Sequence, residues 1–129
     1  MRTPRDHDEG TAAVEFALVL PLLLIVGLAL VQTGLLVRDR LLVESAARAG
    51  ARAAAVQEDL AAIRSAALAA APSLDDPALE VDVNRAGLRG EPVTVSVRYT
   101  ASVRVPFVGW LFGGSVGMST SMTARQEFG

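Results

Sequence analysis

From Phe16 to Val37 the chain holds no charged residue, and across Thr11–Val37 the single charge is Glu15. No other feature constrains the fold as tightly. At ~1.5 Å per residue the uncharged stretch spans about 33 Å as a helix, enough to cross a hydrocarbon core of ~30 Å. Hydrophobic residues make up 51% of the chain and mean hydropathy is +0.38. Both values are high for a soluble protein, and the excess is concentrated in this run. A transmembrane helix over residues 11–37 is therefore expected, with Pro21 absorbed as a kink. Residues 1–10 are polar, charged and interrupted by Pro4 and Gly10, and read as a disordered leader.

Charge returns at Arg38, Asp39 and Arg40, yet the helical pattern continues. Leu42, Ala46, Ala49, Ala53, Val56, Leu60, Ile63 and Ala67 recur at spacings of four and three, which predicts an amphipathic helix over 38–71. Arg40–Glu44 and Glu44–Arg48 form opposite-charge i,i+4 pairs on another face. Arg48 and Arg52 form a like-charge pair, expected to be solvated or paired with neighbouring structure. Pro72 disfavours helix at Ala71, and residues 73–77 read as a loop. The expectation is one nearly continuous helix from Thr11 to Ala71, ~90 Å long.

Beyond Pro72 the period changes to two. Leu79, Val81 and Val83 alternate with Glu80, Asp82 and Asn84, and Gly87 and Gly90 mark a turn. Apolar and polar residues then alternate from Val93 to Val105, where Pro106 ends the pattern. Val116, Met118, Thr120, Met122 and Ala124 form one face of a last strand. The intervening FVGWLFGG reads as a loop. Its Phe107, Trp110 and Phe112 fit an interface anchor, a partner contact or a plug closing the end of the core. Three antiparallel strands with one apolar face need a cover, and the stripe on 42–67 supplies it. The expected fold is α+β: a long N-terminal helix on a small three-stranded antiparallel sheet, with residues 72–129 forming the β-rich domain.

Composition narrows the function. The absence of cysteine excludes disulfides, zinc–thiolate sites and thiol catalysis. His7, in the leader, is the one histidine, and all twelve basic residues are arginine. A chain without its leader has no Cys, His or Lys, and so lacks the usual general base, soft metal ligands and amine nucleophile. Carboxylates and hydroxyls remain, but no catalytic residue, metal site or cofactor is expected. The net charge of −2 gives no electrostatic case for nucleic acid.

Three readings compete for the apolar run. A secretory signal peptide calls for a basic start, a shorter apolar core and a small-residue site. Here Asp6, Asp8 and Glu9 face Arg2 and Arg5, and Ala47-Arg48-Ala49 lies far beyond the run. A plain, unprocessed membrane anchor is the second reading. The third accounts for Glu15, since a carboxylate at the bilayer centre costs about 2.5–3.5 kcal/mol and usually marks function. An interfacial carboxylate favoured by the helix dipole is the simpler alternative for that residue.

Glu15 stands five residues past Gly10, and the run G-TAAVE-FALVLPLLL resembles the processing site of type IV prepilins. That resemblance implies cleavage by a membrane prepilin peptidase between Gly10 and Thr11, with Glu15 the fifth mature residue. Cleavage creates an α-amino group at Thr11, cationic below a pKa of about 7.7–8.0. Such an amine on a neighbouring helix would neutralise Glu15 and set the register between subunits. EFALVLPLLL followed by AARAGARAAA is similar, more specifically, to the TadE-like family of the tight-adherence (Tad) pilus system. This resemblance covers Gly10 to Val56. It implies a pseudopilin or minor pilin acting with other pilins or pseudopilins and Tad assembly proteins. Pro21, eleventh after the implied cut, suits that family better than a major filament subunit.

The resemblance also implies a single-pass protein of the cytoplasmic membrane with its body extracytoplasmic. Basic residues alone favour the opposite, with Arg2 and Arg5 before the span and Arg38, Arg40, Arg48 and Arg52 after it. Gly27 and Gly34, and the pair Ala46 and Gly50, suit close helix packing in a membrane or filament core. They are also common residues in any alanine-rich helix. A bitopic protein whose β domain binds a partner, with no pilus, is the alternative function.

Overall fold

The helix that begins in the apolar run continues well past the run's end. The computed structural model describes residues 5–87 and 89–127, with side chains from Gly10 onward. Helix α1 covers Arg5–Val56, 52 residues with Pro21 inside it, which is ~78 Å at 1.5 Å per residue. The expected disordered leader is therefore corrected over residues 5–10, which form the first turns of α1. Acidic residues early in a helix favour its positive end, and Asp6, Asp8 and Glu9 are so placed in the sequence. Residues 1–4 of that leader lie outside the described residues.

At its other end α1 stops at Val56, so the continuous helix expected to Ala71 is broken at residues 57–59. Asp59 causes the restart: its Oδ1 accepts the Ala61 N–H at 3.0 Å and caps α2, Leu60–Ala69. The carbonyls left open around the end of α1 are taken up from β1 and from the segment that follows β3. Arg85 donates to the carbonyls of Ala54 at 2.8 Å and Gln57 at 2.7 Å, and the Glu127 N–H donates to that of Ala55 at 2.8 Å. The break lets α2 fold back against α1 and reach the first strand.

The buried stripe also differs from the expected one, for Leu42, Ala49 and Ala53 are only partly buried. Val43, Ala46, Ala47, Gly50, Ala51 and Ala54 are buried on α1, joined by Ile63 and Ala67 of α2. Val56 and Leu60, which flank the break, are 58% and 64% exposed and are corrected out of the core. Gly50 marks the closest approach of helix to sheet. A Cβ there would lie 3.1 Å from Val95 Cγ1 and 3.7 Å from the Ala67 Cβ.

The sheet is an antiparallel meander of β1 (Leu79–Arg85), β2 (Pro92–Ser102) and β3 (Ser115–Arg125), with β2 central. Its register places Val83, Val95 and Met122 in one row, and Leu79, Tyr99 and Met118 in another. Val93, Val95, Val97, Tyr99 and Ala101 are buried under α1 and α2, as the alternation requires. Two sequence expectations change. The alternation runs to Val105, but β2 ends at Ser102, and residues 103–105 turn towards α1. The FVGWLFGG loop includes a helical turn, α3 (Gly109–Phe112), closed by Gly113 at φ 71°. Before β1, Asp76–Ala78 form a 3-10 turn held by an Arg64–Asp76 ion pair.

The same substitution at two glycines should separate tight from open packing. Gly50→Leu is expected to lower stability by about 2 kcal/mol through overpacking against Val95. Gly34→Leu, where a Cβ meets nothing within 4 Å, should stay within about 0.5 kcal/mol of the parent. Equilibrium unfolding in detergent micelles, followed by circular dichroism, measures both. Equal effects would contradict this packing.

Candidate functional site

From Gly10 to Val26 helix α1 packs against nothing in the sheet or in α2. Every side chain of this stretch is exposed, including Phe16, Leu18, Leu22 and Leu24. Backbone polarity is satisfied along the helix, while from Ala12 to Val26 the side-chain surface is apolar apart from Glu15. This is the one helix among the described residues long and apolar enough to cross a membrane, and its most apolar window contributes nothing to the chain's own core. A surface of this kind is stable in lipid or against other apolar helices.

Glu15 is exposed on this surface and has no hydrogen-bond or ion-pair partner among the described residues. Gly10 and Thr11 lie within the same helix, also exposed, one turn and more towards its start. Pro21 is exposed and leaves the helix unbroken. At Gly27 and Gly34 an added Cβ would meet open space. Ala46 and Gly50 differ from these, for both are buried in the chain's own core against the sheet. The small-residue pair thus serves helix–sheet packing here.

Further along α1 a second surface emerges. Leu28, Ala29, Gln32, Leu35, Leu36 and Asp39 are covered wholly or in part, at spacings of one, three and four that trace one helix face. The connection between β2 and β3 is fastened to this face. Gln32 is 1% exposed, and its Oε1 accepts the backbone N–H groups of Arg104 at 3.1 Å and Val105 at 3.0 Å. Those N–H groups have left the sheet ladder, so the glutamine supplies the acceptor that a neighbouring strand would otherwise give. Two turns on, Asp39 is 2% exposed, and its Oδ2 faces Arg104 Nη2 at 3.9 Å while Oδ1 has no hydrogen-bond partner. Thr33, the other polar residue of the run, returns its hydroxyl to the Ala29 carbonyl at 2.9 Å.

Sequence reasoning missed this collar. Its signal was present in Gln32, an amide inside an uncharged and mostly apolar run, which must find partners when water is excluded. The partners are backbone groups more than seventy residues away, and no local pattern encodes them. The aromatic loop also departs from expectation. Phe107 and Trp110 are 81% and 75% exposed, while Val108 between them is fully buried. The apolar plug is Val108; the rings of Phe107 and Trp110 lie in the open, and Phe112 is partly buried.

The arginines after the span are engaged in the folded domain. Arg40 donates to the Ser119 carbonyl at 2.9 Å and pairs with Glu44 at 3.3 Å, and Arg48 reaches Glu44 at 3.8 Å. These pairs are solvent-accessible and add little stability. Among the described residues no group of His, Asp and Glu is placed to hold a metal ion.

Gln32→Leu is expected to leave two partly buried N–H groups without an acceptor, costing about 1–3 kcal/mol locally. Hydrogen exchange at the Arg104 and Val105 amides should accelerate, while amides in the centre of β2 keep their protection. Unchanged exchange at both would remove the role given to Gln32.

No curated protein and no solved structure matches the chain. One family does. Residues 10–52, a third of the chain, match the family model described as TadE-like protein. The match opens at Gly10, takes in Glu15, the apolar surface and the Gln32–Asp39 face, and ends shortly before the break in the helix. Along nearly the whole of its long helix, then, the chain is similar to the TadE-like proteins.

Proposed function

We propose that the chain is a TadE-like pseudopilin or minor pilin. On this reading it is a structural, non-enzymatic subunit anchored in the cytoplasmic membrane by α1, with the sheet outside. A prepilin peptidase matures it between Gly10 and Thr11, and it acts in assembling Tad-type adhesive pili with other pilins or pseudopilins and Tad assembly proteins. The supporting observation is that the TadE-like match opens at Gly10 and spans the exposed, apolar helix.

Glycine in a helix interior is destabilising by roughly 0.5–1 kcal/mol relative to alanine, so the helix opens most readily next to the bond to be cut. Hydrolysis there leaves a charged amine on Thr11. Glu15, one turn along, stays exposed on a surface otherwise suited to lipid or to apolar helices. When helices pack side by side outside lipid, an unpaired carboxylate between them is costly, and a neighbour's amine removes that cost. The pairing then selects one axial offset among many that the featureless apolar surface would allow.

N-terminal sequencing of membrane-extracted protein, with and without a prepilin peptidase, tests the reading. A start at Thr11 that depends on the peptidase is expected. An intact N-terminus would favour the bitopic, partner-binding alternative, and a start near residue 50 a secretory signal peptide. Glu15→Ala should leave cleavage intact and weaken co-purification with pilin partners by at least tenfold, about 1.4 kcal/mol. Undiminished association would refute the role of the carboxylate.

A further inference from the structure

The loop joining β2 to β3 carries an exposed apolar tip whose position relative to α1 is fixed. Phe107, Trp110 and Leu111 are 81%, 75% and 53% exposed. Phe107 has φ 65°, a left-handed conformation unfavourable for a residue with a side chain, and it holds an aromatic ring out from the fold. The Leu111 N–H bonds back to the Val108 carbonyl and the Gly114 N–H to that of Gly109, both at 3.0 Å, so the tip is a built turn. Val108 is buried beneath it.

The base of this loop is bonded to Gln32. Gln32 lies six residues before Arg38, the first charge after the apolar run, and so ~9 Å along the helix inside that run. The base of the aromatic loop is thereby tied to a level where α1 is itself still apolar. Arg104 pairs with Asp39, seven residues further on and beyond the last apolar residue of the run. The loop is thus apolar at its tip and charged at its base. Tryptophan with neighbouring apolar side chains at the end of a spanning helix is the composition of an interfacial anchor.

We propose that the Phe107–Leu111 tip inserts into the bilayer interface beside α1, making a second, shallow membrane contact that sets the depth and tilt of the sheet. The occupant is lipid, because the exposed tip springs from a base bonded to Gln32 inside the apolar run, where Leu30 and Val31 of α1 are themselves exposed. The inference rests on α1 spanning the membrane and holds for either orientation.

Trp110 is the chain's one tryptophan, so its fluorescence reports the tip alone. The full chain is reconstituted in phosphatidylcholine vesicles whose acyl chains carry bromine near either the glycerol end or the methyl end. Expected are blue-shifted emission, protection from acrylamide, and quenching by shallow bromines well above that by deep ones. The double variant Phe107→Ser with Leu111→Ser should lose the shallow quenching and regain acrylamide access while staying in the vesicles. Wild-type Trp110 that is open to acrylamide and untouched by bromine, in protein that resists alkaline carbonate, overturns this inference alone. Protection from acrylamide without bromine quenching also overturns it, since that signals protein contact. Release of the protein by carbonate overturns the spanning helix and the inference together.

Discussion

Helix α1 is a single rod that has to satisfy two environments, and the rest of the molecule follows from how it does so. From Ala12 to Val26 it offers only apolar side chains and Glu15 to its surroundings. Its last part buries Val43, Ala46, Ala47, Gly50, Ala51 and Ala54 under a sheet. No residue between them breaks the hydrogen-bond ladder for long enough to let the two halves move independently. A three-stranded sheet with one apolar face is unstable by itself, so the sheet depends on α1 for its cover. The helix, in turn, depends on Arg85 of β1 and on the backbone just after β3 for the donors that close its end.

Much of this was legible in the sequence, for identifiable reasons. The uncharged run from Phe16 to Val37 has one reading as a helix long enough for a bilayer, because length and hydropathy suffice to show it. The three strands were legible because one face is buried and the other solvated, which writes the period of two directly into Leu79–Asn84 and Val93–Ser102. Family resemblance was legible from Gly10, Glu15 and the apolar run, since those residues lie close together in the chain.

What was not legible depends on contacts between distant segments. A pattern at spacings of three and four continues across Gln57-Glu58-Asp59, because one skipped turn disturbs such a pattern little. The signal to stop was Asp59 as a cap for α2, a local competition that hydrophobic periodicity does not weigh. The early end of β2 is similar. Val103 and Val105 keep the strand alternation, yet the Val105 N–H finds Gln32 instead of a strand partner, and Val103 bonds to Gly114. The small residues show a further limit. Gly34 and Gly50 look alike in sequence, and only the sheet above Gly50 distinguishes a packed glycine from an open one.

The collar at Gln32 and Asp39 matters because it joins the two environments at one level of the rod. Elsewhere the sheet meets α1 through the alanine-rich stripe, whose small side chains resist sliding weakly, and through the bonds of Arg40, Arg85 and Glu127 further along the rod. Two hydrogen bonds to one buried amide allow a single axial position, since a shift by one residue would leave both N–H groups unpaired. Asp39 reinforces this, because its burial is tolerable only with Arg104 beside it. From Glu15 to Asp39 the helix runs ~36 Å, and past Asp39 it continues into the core without interruption. Any contact that fixes the height of Glu15 therefore also fixes the height of the sheet. A chain built in this way transmits axial position from one end to the other through backbone hydrogen bonds, with no moving part between them.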